Sequence, residues 1–163
     1  MKNPHYHWLT RGEILTAAII TVGAGTALGQ QASTTEWNGA TGDWSDPTWT
    51  AGVPGTDSLA GVENGGTVTV AGPAAADLEQ LRVGGGSILN LGSSVGVVGT
   101  DLIDNDPDPD TPATGFYLFE GTLNVNSGGA LSVTTGGDFW LGDGANGVIN
   151  LISGGSISTD REV

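Results

Sequence analysis

Short runs in which apolar and polar residues alternate recur along most of the chain: Val68-Thr69-Val70, Leu89-Asn90-Leu91, Leu123-Asn124-Val125, Leu131-Ser132-Val133 and Ile149-Asn150-Leu151. Alternation with period two places the outer members of each triplet on one face of a strand and the middle residue on the other. Gly-rich stretches separate the runs. The pattern therefore predicts many short strands joined by tight corners. Residues 121–133, GTLNVNSGGALSV, overlay residues 147–159, GVINLISGGSIST, with a spacing of 26 and no gap. An earlier copy, GGSILNLGSSVGVVG at 85–99, joins them once an acidic insertion is set aside, and Val68 to Val70 begins the series.

Self-similarity at a fixed period is the signature of a repeat architecture, because one such unit cannot bury its apolar face alone. Stacking successive units roughly 4.8 Å apart would align Val68, Leu89, Leu123 and Ile149 in one buried column. The predicted fold is all-β: a parallel β-helix, or β-solenoid, of about three to four coils. Glycine pairs at 128–129, 136–137 and 154–155 fall at its corners, where a positive φ or a close approach between coils excludes a side chain. Asn90, Asn124 and Asn150 should stack outward, either as a solvated face or as a ligand-binding ladder. A β-sandwich of hairpins would also accept strands at this spacing. The gapless copy favours the solenoid.

The N-terminal part is different. Lys2 and Arg11 precede an apolar stretch from Ile14 to Ala24, followed by small residues ending at Gly29, which is the order of a secretory signal peptide. About 11 apolar residues fall short of the roughly 20 needed to span a bilayer. A signal helix over residues 1–29, cleaved on export, is the expectation, with no stable membrane span afterwards. The organisation predicted downstream is a Trp-rich capping segment at 30–60 and solenoid repeats at 61–163, interrupted by an Asp/Pro-rich loop at 101–112. Ending part-way through a coil at Val163, the chain reads as a fragment whose exposed solenoid edge is liable to self-associate.

Composition narrows the chemistry. With 29 glycines and no cysteine in 163 residues, neither a disulfide framework nor a thiolate metal site is on offer. The formal charge of −14 opposes nucleic acid and anionic lipid headgroups. Removing residues 1–29 also removes His5, His7, Lys2 and Arg11, leaving Arg82 and Arg161 as the bases. Ser-His-Asp, Cys-His and His-metal arrangements are then impossible. A lyase-like site would need Arg82 as its base, yet alternation between Leu81 and Val83 points that side chain outward and alone. A glycosidase-type carboxylate pair is open to composition, through Asp138 and Asp143 or the Asp-rich loop.

Two clusters are candidate sites. Asp104, Asp106, Asp108 and Asp110 offer hard oxygen ligands at alternating positions, as Ca²⁺ prefers. Counted as an EF-hand loop from Asp104, however, the run has Pro109 in place of the turn glycine and Gly115 in place of the bidentate acid. Pro107, Pro109 and Pro112 equally suit an extended, solvated excursion. Trp37, Trp44 and Trp49 could stack on a sugar ring, or could close the first coil as core.

The segment EWNGATGDWSDPTWTAGVPGTDS at 36–58, followed by NGGTVTVAGPAA at 64–75, resembles the start of autotransporter-associated β-strand repeat proteins and related exported bacterial β-helix proteins. Trp37, Gly42, Trp44, Trp49, Gly52, Pro54 and Asp57 carry the likeness. The resemblance implies a passenger-like or surface scaffold without assigned catalytic residues. The expected function is a non-catalytic, secreted or cell-surface scaffold or adhesion module that needs no cofactor beyond possible Ca²⁺. The alternatives are a carbohydrate-binding module recognising a cell-surface glycan and a degenerate polysaccharide-active enzyme.

Overall fold

The computed structural model describes residues 18–22, 32–72, 77–99, 114–134, 137–142 and 146–160. Among them the regular structure is entirely β. The strands are β1 (Ala18–Val22), β2 (Thr35–Glu36), β3 (Thr41–Asp43), β4 (Leu59–Val62), β5 (Thr67–Val70), β6 (Gln80–Val83) and β7 (Ile88–Leu91). They continue as β8 (Ser94–Val98), β9 (Gly115–Leu118), β10 (Thr122–Val125), β11 (Ala130–Thr134), β12 (Asp138–Leu141), β13 (Gly147–Leu151) and β14 (Ser156–Thr159).

Three sheets hold these strands, in the orders β12-β9-β6-β4-β2, β1-β13-β10-β7-β5-β3 and β14-β11-β8. Every pairing between successive windings is parallel, and the chain visits the sheets in the same order each time. This is the arrangement of a β-helix. In the third sheet the strands begin only with β8, but Leu78 makes a parallel bridge to Val97 and so starts that face one winding earlier.

Register follows the repeat. Leu123 lies opposite Ile149 on one side and Leu89 on the other, and Leu89 lies opposite Val68. The expected column is therefore continuous, and Val68, Leu89 and Leu123 are each 0% exposed. The other two faces line the interior in the same way, with Leu81, Phe116 and Phe139 in one column and Val95, Leu131 and Ile157 in another. Phe116 and Phe139 stack with ring centroids 5.1 Å apart. Each fully buried aliphatic side chain contributes about 1.5–3 kcal/mol by leaving water, so the columns supply the main stabilising term.

The polar middle residues also stack. Asn124 Nδ2 donates to Asn90 Oδ1 at 2.7 Å, and Asn150 Nδ2 donates to Asn124 Oδ1 at 2.7 Å. Identical registers bring equal side chains above one another, so each amide meets the complementary end of the next. At the corners, Gly128 and Gly154 have φ of 83° and 89°, which a side chain resists. Their neighbours Gly129 and Gly155 lie so close to the Leu91 and Val125 carbonyl oxygens that a Cβ would press into the preceding winding.

Residues 32–58 close the first winding while also contributing β2 and β3 to the sheets. Trp37 and Trp49 form an antiparallel bridge, and the rings of Trp37, Trp44 and Trp49 pack edge to face, with Trp49 contacting both others at 5.5 and 4.8 Å. The turn between them is set by carboxylates: Asp46 Oδ2 accepts from the Asp43 backbone N–H, and Asp43 Oδ1 accepts from the Ser45 N–H and hydroxyl. The hydrogen bonds from Ser45, backbone first, hold the Asp43 carboxyl below its ordinary pKa.

Of the expected signal helix at 1–29, only Ala18–Val22 is described, and it is extended: β1 pairs antiparallel with β13. A β-branched apolar run placed beside an unpaired strand edge satisfies both sets of backbone groups as a strand. The Asp/Pro-rich loop at 101–112 lies outside the described residues.

Leu123→Ala should lower the unfolding free energy by about 2–5 kcal/mol, the cost of a cavity in a packed column. Thr122→Ala, one residue away on the outer face, should cost under about 1 kcal/mol. Urea denaturation of both variants checks this, and equal losses would mean that the faces are assigned wrongly.

Candidate functional site

The outer face of the five-stranded sheet gathers the most varied chemistry. Its pairing places Glu36, Gly61, Arg82, Tyr117 and Trp140 in one transverse row. These positions are the alternates of the core column Ala60, Leu81 and Phe116, so period two turns them away from the interior, although Tyr117 is itself only 2% exposed. Trp140 thereby faces out while its neighbour Phe139 stacks inside.

Arg82 is held from two sides. Its Nε lies 2.8 Å from Glu63 Oε1, and the guanidinium carbon sits 5.2 Å from the centroid of the Phe119 ring. The Arg82 and Glu63 side chains are only 17% and 25% exposed. Glycine makes the room: a Cβ at Gly84 would collide with the Phe119 ring, and one at Gly61 would meet Ser33 Oγ at 2.6 Å. A cation over an aromatic face beside a carboxylate, partly shielded from water, interacts more strongly than an exposed pair.

Burial pushes the Glu63 carboxyl above its ordinary pKa; Arg82 opposes that shift and Glu36 adds to it. Desolvation therefore outweighs the attraction of the guanidinium. The cluster holds a fixed cation beside an aromatic ring.

The sequence reading had Arg82 outward and alone. Outward is correct, but it is paired, which corrects the second half of that expectation. The signal was present in the 21-residue offset that puts Val62 beside Val83, since the same offset brings Glu63 to Gly84 and the end of Arg82. What periodicity could not supply was the position of Phe119, which follows the acidic insertion.

Trp37, Trp44 and Trp49 are 2%, 3% and 4% exposed and belong to the hydrophobic core. Trp49 Nε1 donates to the Trp44 carbonyl oxygen at 2.9 Å. Their ring faces are turned toward one another and the first winding, the capping arrangement, whereas sugar stacking would need an open face. Asp104, Asp106, Asp108 and Asp110 lie outside the described residues. Among the described residues no group of three or more His, Cys, Asp or Glu side chains converges as a metal site, and no helix is long and apolar enough to cross a membrane.

No family model, curated protein or solved structure matches the chain.

The raised pKa of Glu63 has a defined sign. The folded chain binds this proton more tightly than the unfolded chain, so the contribution favours folding at low pH and is lost as pH rises from about the ordinary value of 4.5 through the raised one. Glu63→Gln should flatten that part of the stability profile. Urea midpoints measured at intervals above pH 4.5 check it; an unchanged slope would show that Glu63 titrates as a solvated carboxyl.

Proposed function

We propose that the protein is an exported, non-catalytic β-solenoid that acts as a surface scaffold or adhesion module. The observation that supports this reading best is the parallel register through three sheets, which repeats one cross-section from winding to winding. In this reading three complete coils follow two partial ones. The outer faces of the six-stranded and three-stranded sheets carry mainly small polar residues, among them Thr69, Asn90, Asn124, Asn150, Ser94, Ser132 and Ser158, at a constant spacing, the geometry of a spacer or of a surface with repeated weak contacts.

Export is supported by the order of charges, apolar run and small residues over residues 1–29. The likeness of residues 36–75 to autotransporter-associated repeat proteins points the same way. Expressed with its leader in a Gram-negative host, the chain should leave the cytoplasm and carry a new N-terminus near Gln30, read by intact-mass measurement. Retention in the cytoplasm at full mass would overturn the export reading. Release of reducing ends or unsaturated uronates from a polysaccharide panel would overturn the non-catalytic one.

A carbohydrate-binding reading is favoured by one observation: Trp140 and Phe119 are partly exposed aromatic rings on the same outer side of the five-stranded sheet, whose Tyr117 is itself buried. Exposed apolar ring faces suit a pyranose. On a glycan array, Trp140→Ala should abolish any signal if this surface is the site, while Trp44→Ala should leave a folded protein's binding intact.

A further inference from the structure

The chain holds three Asn-Gly pairs: Asn38-Gly39, Asn64-Gly65 and Asn146-Gly147. Such a pair is chemically labile, because the backbone nitrogen of a residue without a side chain can approach the asparagine amide carbon unhindered. What the two groups are bonded to decides whether that approach occurs. The third pair opens β13, while the first two lie between strands of the first windings and are held in opposite ways.

Asn64 is locked. Its Oδ1 accepts from the Gly66 N–H at 3.0 Å, and its Nδ2 donates to the Gly39 carbonyl oxygen at 3.0 Å. The nitrogen that would attack is engaged as well, since the Gly65 N–H donates at 3.0 Å to Oγ of Ser87, a residue that is 0% exposed. Ring closure at Asn64 would break all of these bonds.

Asn38 is exposed, and among the described residues its side chain meets no hydrogen-bond partner. The Gly39 N–H donates to none of them either. The surrounding main chain is nevertheless fixed: the Asn38 N–H donates to the Thr48 carbonyl oxygen at 3.1 Å, and the Ala40 carbonyl oxygen accepts from the Thr67 N–H at 2.7 Å. A Cβ at Gly39 would lie 2.6 Å from Trp37 Cζ2 and 3.2 Å from Thr48 Cγ2. Packing against the tryptophan cap therefore requires glycine at the position where it leaves the amide nitrogen open to its neighbour.

We propose that Asn38 is a site of spontaneous covalent modification and that its isoaspartyl product loosens the tryptophan cap. The Gly39 nitrogen attacks Asn38 Cγ, forming the N–Cγ bond as the Cγ–Nδ2 bond breaks. The Gly39 proton leaves with the amide as ammonia, and a succinimide remains. Water then opens the ring. Addition at Cγ regenerates the ordinary backbone as aspartate, whereas addition at the Asn38 backbone carbonyl carbon gives isoaspartate, whose main chain runs through the former side chain. The second route adds a methylene between Trp37 and Gly39. Gly39 is seated on the Trp37 ring and bonded to Asn64, so the longer chain must displace one or both contacts. This inference is independent of the export and scaffold reading.

The test incubates the full wild-type chain at mildly alkaline pH, once folded and once in urea, and maps its peptides by mass. In the folded chain the amide-to-acid mass change should accumulate at Asn38 and not at Asn64; in urea both should convert. Enzymatic methylation of isoaspartate should label the Asn38 peptide, and Asn38→Gln, whose longer side chain does not close the same ring, should abolish the label. Isoaspartyl chains separated by ion exchange should unfold at lower urea than Asn38→Asp, which carries the same charge on an ordinary backbone. An unconverted Asn38 in the folded chain, equal conversion of Asn38 and Asn64 there, or equal urea midpoints for the isoaspartyl and Asn38→Asp chains would each overturn the proposal.

Discussion

Backbone hydrogen bonds between successive windings govern this molecule. Each strand has its partners one turn of chain above and below, so neighbouring coils are locked residue against residue at the strand spacing of roughly 4.8 Å. Once one pair is in register, every position of the coil lies over its equivalent. A one-residue slip would turn Leu123 and Val125 outward and bury Thr122 and Asn124, so the apolar alternation and the hydrogen-bond ladder enforce the same register.

Other features follow from that lock. Like residues must tolerate stacking on like, which suits branched aliphatics inside and amides outside, and the Asn90, Asn124 and Asn150 chain is its polar expression. Corners must turn without lifting one winding off the next, so Gly129 and Gly155 lie against the carbonyls below them. Tryptophans close the first winding, and at the last described winding β1 lies along β13. The Glu63, Arg82 and Phe119 cluster is likewise a product of stacking, since these residues come from three different windings.

Periodicity in the sequence was enough to place Val68, Leu89, Leu123 and Ile149 in one column, because alternation of period two and a gapless repeat are properties of the backbone ladder itself. It also placed Asn90, Asn124 and Asn150 together on the outer face. It was less informative at Arg82, where the neighbouring windings differ in length and the partner could be found only once the offsets were known. Trp140 could not be oriented from its neighbours Phe139 and Leu141, all three being large and apolar; pairing with Tyr117 decided it. For Trp37, Trp44 and Trp49 the choice between platform and core depended on an antiparallel bridge that has no repeat to announce it.

By itself, then, the sequence determined the strand pattern, the inward and outward faces and the register of the repeats, because each of these is local or recurs at a fixed interval. Only the tertiary structure decided how Arg82 is partnered, that the three N-terminal tryptophans are buried, and that residues 18–22 lie on the last coil's edge. Those outcomes depend on which distant segments meet across an irregular offset, and no period in a single chain encodes that.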